Sequence, residues 1–198
     1  MADVPIAELT QRLWPMGDDD SAFALLDGAR SPEVLPLIEA SGLPSQCLYI
    51  GALDPALARV APYLVGLSRT APGTRALLAR AWGDAWGVFL RAPVGLAVLH
   101  RHFRRLLRVQ DEHGRRMLFR FYDPRVLRVY LPTCTSAELG QVFGPIELFV
   151  MEGQEPEQIL MFRNDRGVLG QSEVRVEKRL HWLGDYLRKR REEEPTKP

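Results

Sequence analysis

Three helix starts of one kind punctuate this chain. Ser31-Pro32, Asp54-Pro55 and Asp123-Pro124 each put a side-chain acceptor at an N-cap and a proline at the first helical position. Proline has its φ pre-set for a helix there, and its missing N–H would have had no partner, so each pair fixes where a helix begins. Between these starts lie short apolar runs. Phe23–Leu26 ends in Asp27-Gly28, Cys47–Ile50 is closed by Gly51, and Gly87–Leu90 follows a tryptophan pair; all three read as buried strands. The first helix carries Val34, Leu35 and Ile38 and stops at Gly42. The second is expected to turn Leu57, Val60, Ala61 and Leu64 inward. Strand, helix, strand, helix within 67 residues predicts an α/β layer with parallel neighbours.

Further along, Leu77, Leu78, Trp82 and Trp86 predict a helix, the two tryptophans sharing one face as core or interface aromatics. Residues 94–105 predict an amphipathic helix: at 100° per residue Leu96, Leu99, Phe103 and Leu106 fall on one side, Arg101, Arg104, Arg105 and Arg108 on the other. Asp111-Glu-His-Gly114 predicts a hairpin turn, after which Met117, Phe119 and Phe121 form the core face of a returning strand. Asp123-Pro124 opens a short helix with Leu127, Tyr130 and Leu131, and Thr135-x-x-Glu138 is a capping box for another ending at Gly144. Ile146–Met151 and Ile159–Phe162 predict further strands. Residues 154–158 and 163–167 read as polar joints, and Val176, Leu180, Leu183 and Leu187 as one more amphipathic helix before a solvated end. The predicted architecture is mixed α/β: a small β-sheet layered with helices, plus a C-terminal hairpin and helix appendage. Its organisation is a lead-in over 1–20, a main domain over 21–152, an extension over 153–188 and a tail over 189–198.

Composition enters through the charges. The 26 basic and 25 acidic side chains nearly cancel, so overall charge favours no polyanionic partner. The distribution is uneven: residues 91–130 hold ten arginines against Asp111, Glu112 and Asp123. Only three basic residues in the chain, Lys178, Lys189 and Lys197, are lysine. Arginine's planar, weakly hydrated fork suits contact surfaces and paired sites. The stripe Arg101/Arg104/Arg105/Arg108 admits three readings: an ordinary solvated face, a phosphate-binding surface, or a patch for an acidic protein. No membrane partner is expected, because no run approaches the ~20 apolar residues of a spanning helix, and Met1-Ala-Asp-Val-Pro5 lacks the pattern of a signal peptide. A cytoplasmic location follows as the expectation.

The motifs of catalysis are sparse. His100 and His102, two apart on a helix, point about 200° away from each other and cannot share a metal ion there. Cys47 and Cys134 form no C-x-x-C pair, so neither a disulfide framework nor a zinc site is expected. No G-x-S-x-G elbow, G-x-G-x-x-G or P-loop occurs. Asp27, at a strand end, is the best lone carboxylate, either a hydrolytic group or a turn residue bonding the backbone of Gly28-Ala29. Asp123 has the same two readings. No catalytic residue, metal or cofactor is predicted.

Five segments taken in order carry a resemblance: Phe23–Arg30, Leu37–Gly42, Ala61–Leu64, Trp82-Gly-x-x-Trp-Gly-Val-Phe-Leu90, and Arg116–Leu127 with Phe121-Tyr-Asp-Pro-Arg125. Over roughly residues 20–150 the chain resembles the bacterial type VI secretion effector adaptor, or Tap, domain, formerly known only as a domain of unknown function. The resemblance implies a cytosolic, non-catalytic adaptor that binds a toxin effector and helps load it onto the VgrG spike, with the region after the shared domain varying with the effector. It makes Arg101, Arg104, Arg105, Arg120, Tyr122 and Arg125 the candidate partner-binding residues. Asp123 and Pro124 are expected to be structural, and Arg125 either pairs internally or meets a partner. The alternative is a nucleic-acid-binding module that uses the arginine-rich 101–128 surface.

Overall fold

The computed structural model describes residues 6–15, 21–110, 113–155 and 157–176. The Asp18–Asp20 break, the 111–112 part of the hairpin turn, the helix expected around Leu180–Leu187 and the tail lie outside the described residues. The elements are α1 (Ile6–Leu13), β1 (Ala22–Asp27), α2 (Val34–Ser41), β2 (Ser45–Cys47), α3 (Pro55–Arg59), β3 (Pro62–Gly66), α4 (Pro72–Ala81), β4 (Gly87–Arg91), α5 (Leu96–Leu106), β5 (Arg108–Gln110), β6 (Arg116–Leu118), α6 (Pro124–Tyr130), α7 (Ser136–Phe143), β7 (Leu148–Glu152), β8 (Gln158–Asp165) and β9 (Val168–Arg175). The class is mixed α/β, as the alternation of elements predicts.

One seven-stranded sheet in the order β2-β3-β1-β4-β7-β8-β9 forms the centre, with β5 and β6 as a separate two-stranded ribbon. Strand periodicity sends alternate side chains to opposite faces. Ala22, Ala24, Leu26, Phe89, Leu148 and Val150 pack on one side with residues of α1, α2 and α4. Phe23, Leu25, Val88, Leu90, Phe149 and Met151 pack on the other with α5, α6 and α7. The molecule is thus three layers, helices on both faces of a sheet whose central strands are buried throughout.

The neighbours are antiparallel, not parallel as expected. For β2 and β3 the reason lies at Pro62. A helix running from Asp54 through Leu64 would hold this proline in its interior, where its ring clashes with the preceding turn. The helix therefore stops at Arg59 and buries no residue, and Pro62–Gly66 is a strand instead. Without a long crossover helix, β2 and β3 pair as an antiparallel ribbon.

Four further expectations change. α4 ends at Ala81, so Trp86 is not on the helical face of Trp82; both are buried, and Gly83 (φ 93°) and Ala85 (φ 52°) turn the chain between them. β2 covers only Ser45–Cys47, and the chain then leaves the sheet with Ile50 68% exposed. Met117 is 47% exposed because the β5–β6 ribbon is covered on neither face, whereas Phe121 is buried and stacks on Phe103 at 5.4 Å. Residues 163–167 are not a joint between units: β8 runs to Asp165, Arg166 (φ 56°) and Gly167 (φ 89°) make a two-residue turn, and β9 follows through Arg175 where a helix was expected to begin. Asn164 Oδ1 accepts the Gly167 N–H at 2.7 Å and closes that turn.

Candidate functional site

The arginine stripe stands on α5, and the helix forms because its two faces are so different. Leu99 and Phe103 are fully buried on one side. Arg101, Arg104, Arg105 and, just past the helix, Arg108 are exposed on the other. Two histidines fix the orientation. His100 Nε2 bonds with the Cys47 carbonyl at 2.8 Å and His102 Nε2 with the Val142 carbonyl at 3.0 Å, tying α5 to β2 and to α7. Burial pushes the His102 imidazole below its usual range, the Val142 bond opposes this, and Arg105 adds to the depression. The two rings serve opposite sides of the helix. Among the described residues no three His, Cys, Asp or Glu side chains gather as a metal site.

The arginine face forms one wall of a groove of about 560 Å³. Its floor and far wall are Leu48, Tyr49, Ile50 and Leu53 after β2, Leu57 of α3, Leu107 and Leu118. Its remaining lining is Arg101, Arg104, Arg105 and Arg108, and no acidic residue among those described lines it. None of the four arginines makes an ion pair with a described residue. Like charges three and four apart on a helix each cost a few tenths of a kcal/mol. The floor adds a second unfavourable feature, since Ile50, Leu57 and Leu118 are 68%, 44% and 50% exposed. An apolar strip thus lies beside four cations that have no ion-pair partner among the described residues.

Arg120, Tyr122 and Arg125 occupy different ground. Asp27 and Asp123 are 1% and 2% exposed, and buried carboxylates require partners. Asp27 accepts from the Ala29 N–H at 3.0 Å and from the Arg120 guanidinium. Asp123 caps α6 by accepting from the Arg125 N–H at 3.0 Å, and Arg125 Nε and Nη2 close on it at 2.9 and 2.6 Å. Arg120 also lies 3.9 Å from Asp123. Burial raises the Asp123 carboxyl, but the Arg125 bonds and the Arg120 charge outweigh it and hold it below the usual carboxylate range. Tyr122 is 2% exposed; burial first, then Tyr49 and Asp27, pushes its phenol well above the usual range. Tyr122 also lies beside Tyr49 of the groove floor. The six candidates therefore divide into three on the groove wall and three around the buried Asp27 and Asp123, where the Arg120 and Arg125 side chains remain 41% and 46% exposed. Asp27 and Asp123 are both turn and cap residues bound to arginine.

The floor escaped the sequence because Leu48–Ile50 reads as the end of a buried strand and Leu57 as the inward face of a helix. The signal that could have found it is the pairing of Gly51 (φ 88°) with the proline of Asp54-Pro55-Ala56-Leu57. Together they force an exposed, apolar connection.

A smaller hollow of about 290 Å³ lies over Glu152, Gly83, Ala85 and Arg128. Glu152 accepts the Ala85 N–H at 3.1 Å, while Arg30 donates to the Asp84 and Ala85 carbonyls at 3.1 Å each, so the turn before β4 is gripped from both sides. Burial pushes the Glu152 carboxyl up from 4.5 to about 7 against the Gly83 and Ala85 bonds. The folded state thus holds the proton more tightly than the unfolded chain. Stability is full below pH 4.5 and falls as pH rises through 7. Glu152→Gln is expected to remove that slope: urea melts should agree with the parent at pH 4, and at pH 8 the variant should be more stable by roughly 3 kcal/mol.

A family model described as a domain of unknown function (DUF4123) matches residues 22–141, a span that contains the groove wall, its floor, Asp27 and Asp123. No curated protein and no solved structure matches the chain.

Proposed function

Because the chain belongs to the DUF4123 family, we propose that it is a cytoplasmic adaptor that binds a type VI secretion toxin effector and helps load it onto the VgrG spike. The family is associated with adaptors of such effectors, and the segments that carry the resemblance fall inside the matched residues. The observation that carries the reading is the groove, where four guanidinium groups with no described ion-pair partner stand beside an exposed apolar floor. Such a surface holds another polypeptide: charge sets the encounter and apolar burial sets the lifetime. The protein works by binding, not by turnover. Asp27, the carboxylate best placed for hydrolysis, is committed to the Ala29 N–H and to Arg120 and is 1% exposed. No helix among the described residues is long and apolar enough to cross a membrane.

The test is co-expression of the tagged chain with a toxin encoded beside a VgrG gene, followed by size-exclusion chromatography. Toxin and adaptor are expected to co-elute as a complex that also retains the spike protein. Separate elution of all three contradicts the proposal.

A further inference from the structure

We infer that the groove between α5 and the Leu48–Leu57 segment is built for one amphipathic, acidic helix of the partner. This deepens the adaptor reading and rests on it. Four features of the groove lead there.

The first is spacing. Arg101, Arg104 and Arg105 lie within about 100° of arc on α5, over about 6 Å or one turn of axis, and Arg108 follows them at the start of β5. A partner helix with carboxylates three and four residues apart repeats at the same interval and can lie alongside with each charge met. An extended strand shows same-face side chains about 6.7 Å apart, so it falls out of step by about 1 Å per repeat. The second is two-sidedness: cations form one wall, and Leu48, Ile50, Leu53, Leu57 and Leu118 form the floor and the other side. An occupant must be acidic along one flank and apolar along the next, and an amphipathic helix provides both from one turn. The third is charge complementarity. The groove lining includes no described carboxylate, and its arginines have no described ion-pair partner, so the counter-charge comes with the ligand. The fourth separates protein from nucleic acid. A phosphate chain gains nothing from an aliphatic floor, and the lining holds a single aromatic ring, Tyr49. That is a poor stacking platform.

The probe is a fluorescein-labelled synthetic peptide of about 20 residues, with glutamate and leucine placed as two adjacent helical stripes. A control peptide has the same composition in permuted order, and single-stranded oligothymidylate of equal charge tests the alternative polyanion. Anisotropy titrations use the full chain and two variants, Arg101→Glu/Arg105→Glu and Ile50→Asp/Leu57→Asp. All four positions are solvent-exposed, so melting temperatures should match the parent. The patterned peptide is expected to bind, the permuted peptide at least about tenfold more weakly, and each variant to lose about tenfold or more. Salt should weaken the parent but leave residual binding that the floor variant lacks. Equal binding of the two peptides, no binding, binding unaffected by the variants, or tighter binding of the oligothymidylate through the same arginines each overturns the inference. The two readings fail separately. A toxin that co-elutes with the parent and with both variants leaves the adaptor reading intact and removes the groove. A peptide that binds while no toxin co-elutes does the reverse.

Discussion

Arg120→Ala is expected to cost the fold about 3 kcal/mol at pH 7, the lower end of what losing one partner of a buried charge costs. The lower end applies because the Arg120 side chain is 41% exposed and partly screened, whereas Asp27 is 1% exposed. Asp27 would keep only the Ala29 N–H, a single hydrogen bond for a buried carboxylate. Asp123 would keep Arg125 and its cap, so the damage concentrates at Asp27. That asymmetry gives the diagnostic: Asp27→Asn in the Arg120→Ala background should recover most of the loss, because the charge needing a cation has gone. Urea denaturation of the parent, both single variants and the double variant measures the coupling. A coupling near zero would mean that Arg120 is an ordinary surface side chain. The loss should also reach the groove, since Tyr122 lies close to Arg120 and beside Tyr49 of the floor.

Gly87→Ala is expected to be worse, about 4 kcal/mol or more, with most of the protein going to the insoluble fraction. Gly87 faces Leu26 across the β1–β4 pair. A Cβ there would collide with the Leu25 carbonyl oxygen, and would lie 2.8 Å from its carbon and 3.0 Å from Leu26 Cα. These are backbone atoms of a central strand, so no rotamer relieves the contact. The control is Gly140→Ala in the middle of α7, where nothing lies within 4 Å of the new methyl; it should gain up to about 1 kcal/mol. The contrast accounts for the Trp-Gly-x-x-Trp-Gly block. Trp82 stacks on Phe89 at 6.0 Å, and the Arg80 guanidinium sits 4.6 Å over Trp86. Gly83 makes the left-handed turn between them, and Gly87 lets β4 lie against β1.

What the sequence disclosed depended on how local the cause was. Capping is local: Asp54, Asp123 and the Thr135–Glu138 box do what their spacing predicts, but Ser31-Pro32 does not open its helix, because α2 begins at Val34 behind Glu33 and Ser31 Oγ accepts the Glu33 N–H at 3.2 Å in a turn. The amphipathy of α5 is local too, and it put Arg101, Arg104 and Arg105 on one exposed face. Strand direction is not local. The same Phe23–Leu26 and Gly87–Leu90 runs serve a parallel or an antiparallel sheet, and Pro62, by shortening one helix, decided only how β3 pairs with β2. β9 was hidden for a related reason. As an edge strand with most of its side chains at the surface, its Val-Leu-Gly-Gln-Ser-Glu-Val-Arg run carries no clean alternation. The groove floor was least legible of all. Leu48, Leu57 and Leu118 come from three distant parts of the chain, and each looks like ordinary core until α5 is set beside them. Arg120 and Arg125 belong to the same arginine cluster as the wall, and only the burial of Asp27 and Asp123 shows that these two pair internally.

The most direct measurement of the central claim is hydrogen exchange by mass spectrometry on the protein alone and in complex with a co-purified toxin. The account predicts new protection in peptides covering Leu48–Leu57 and Arg101–Leu118, with the β1–β4 core unchanged. Protection confined to the α1–α4 face or to β9, with those two segments exchanging as in the free protein, would contradict it.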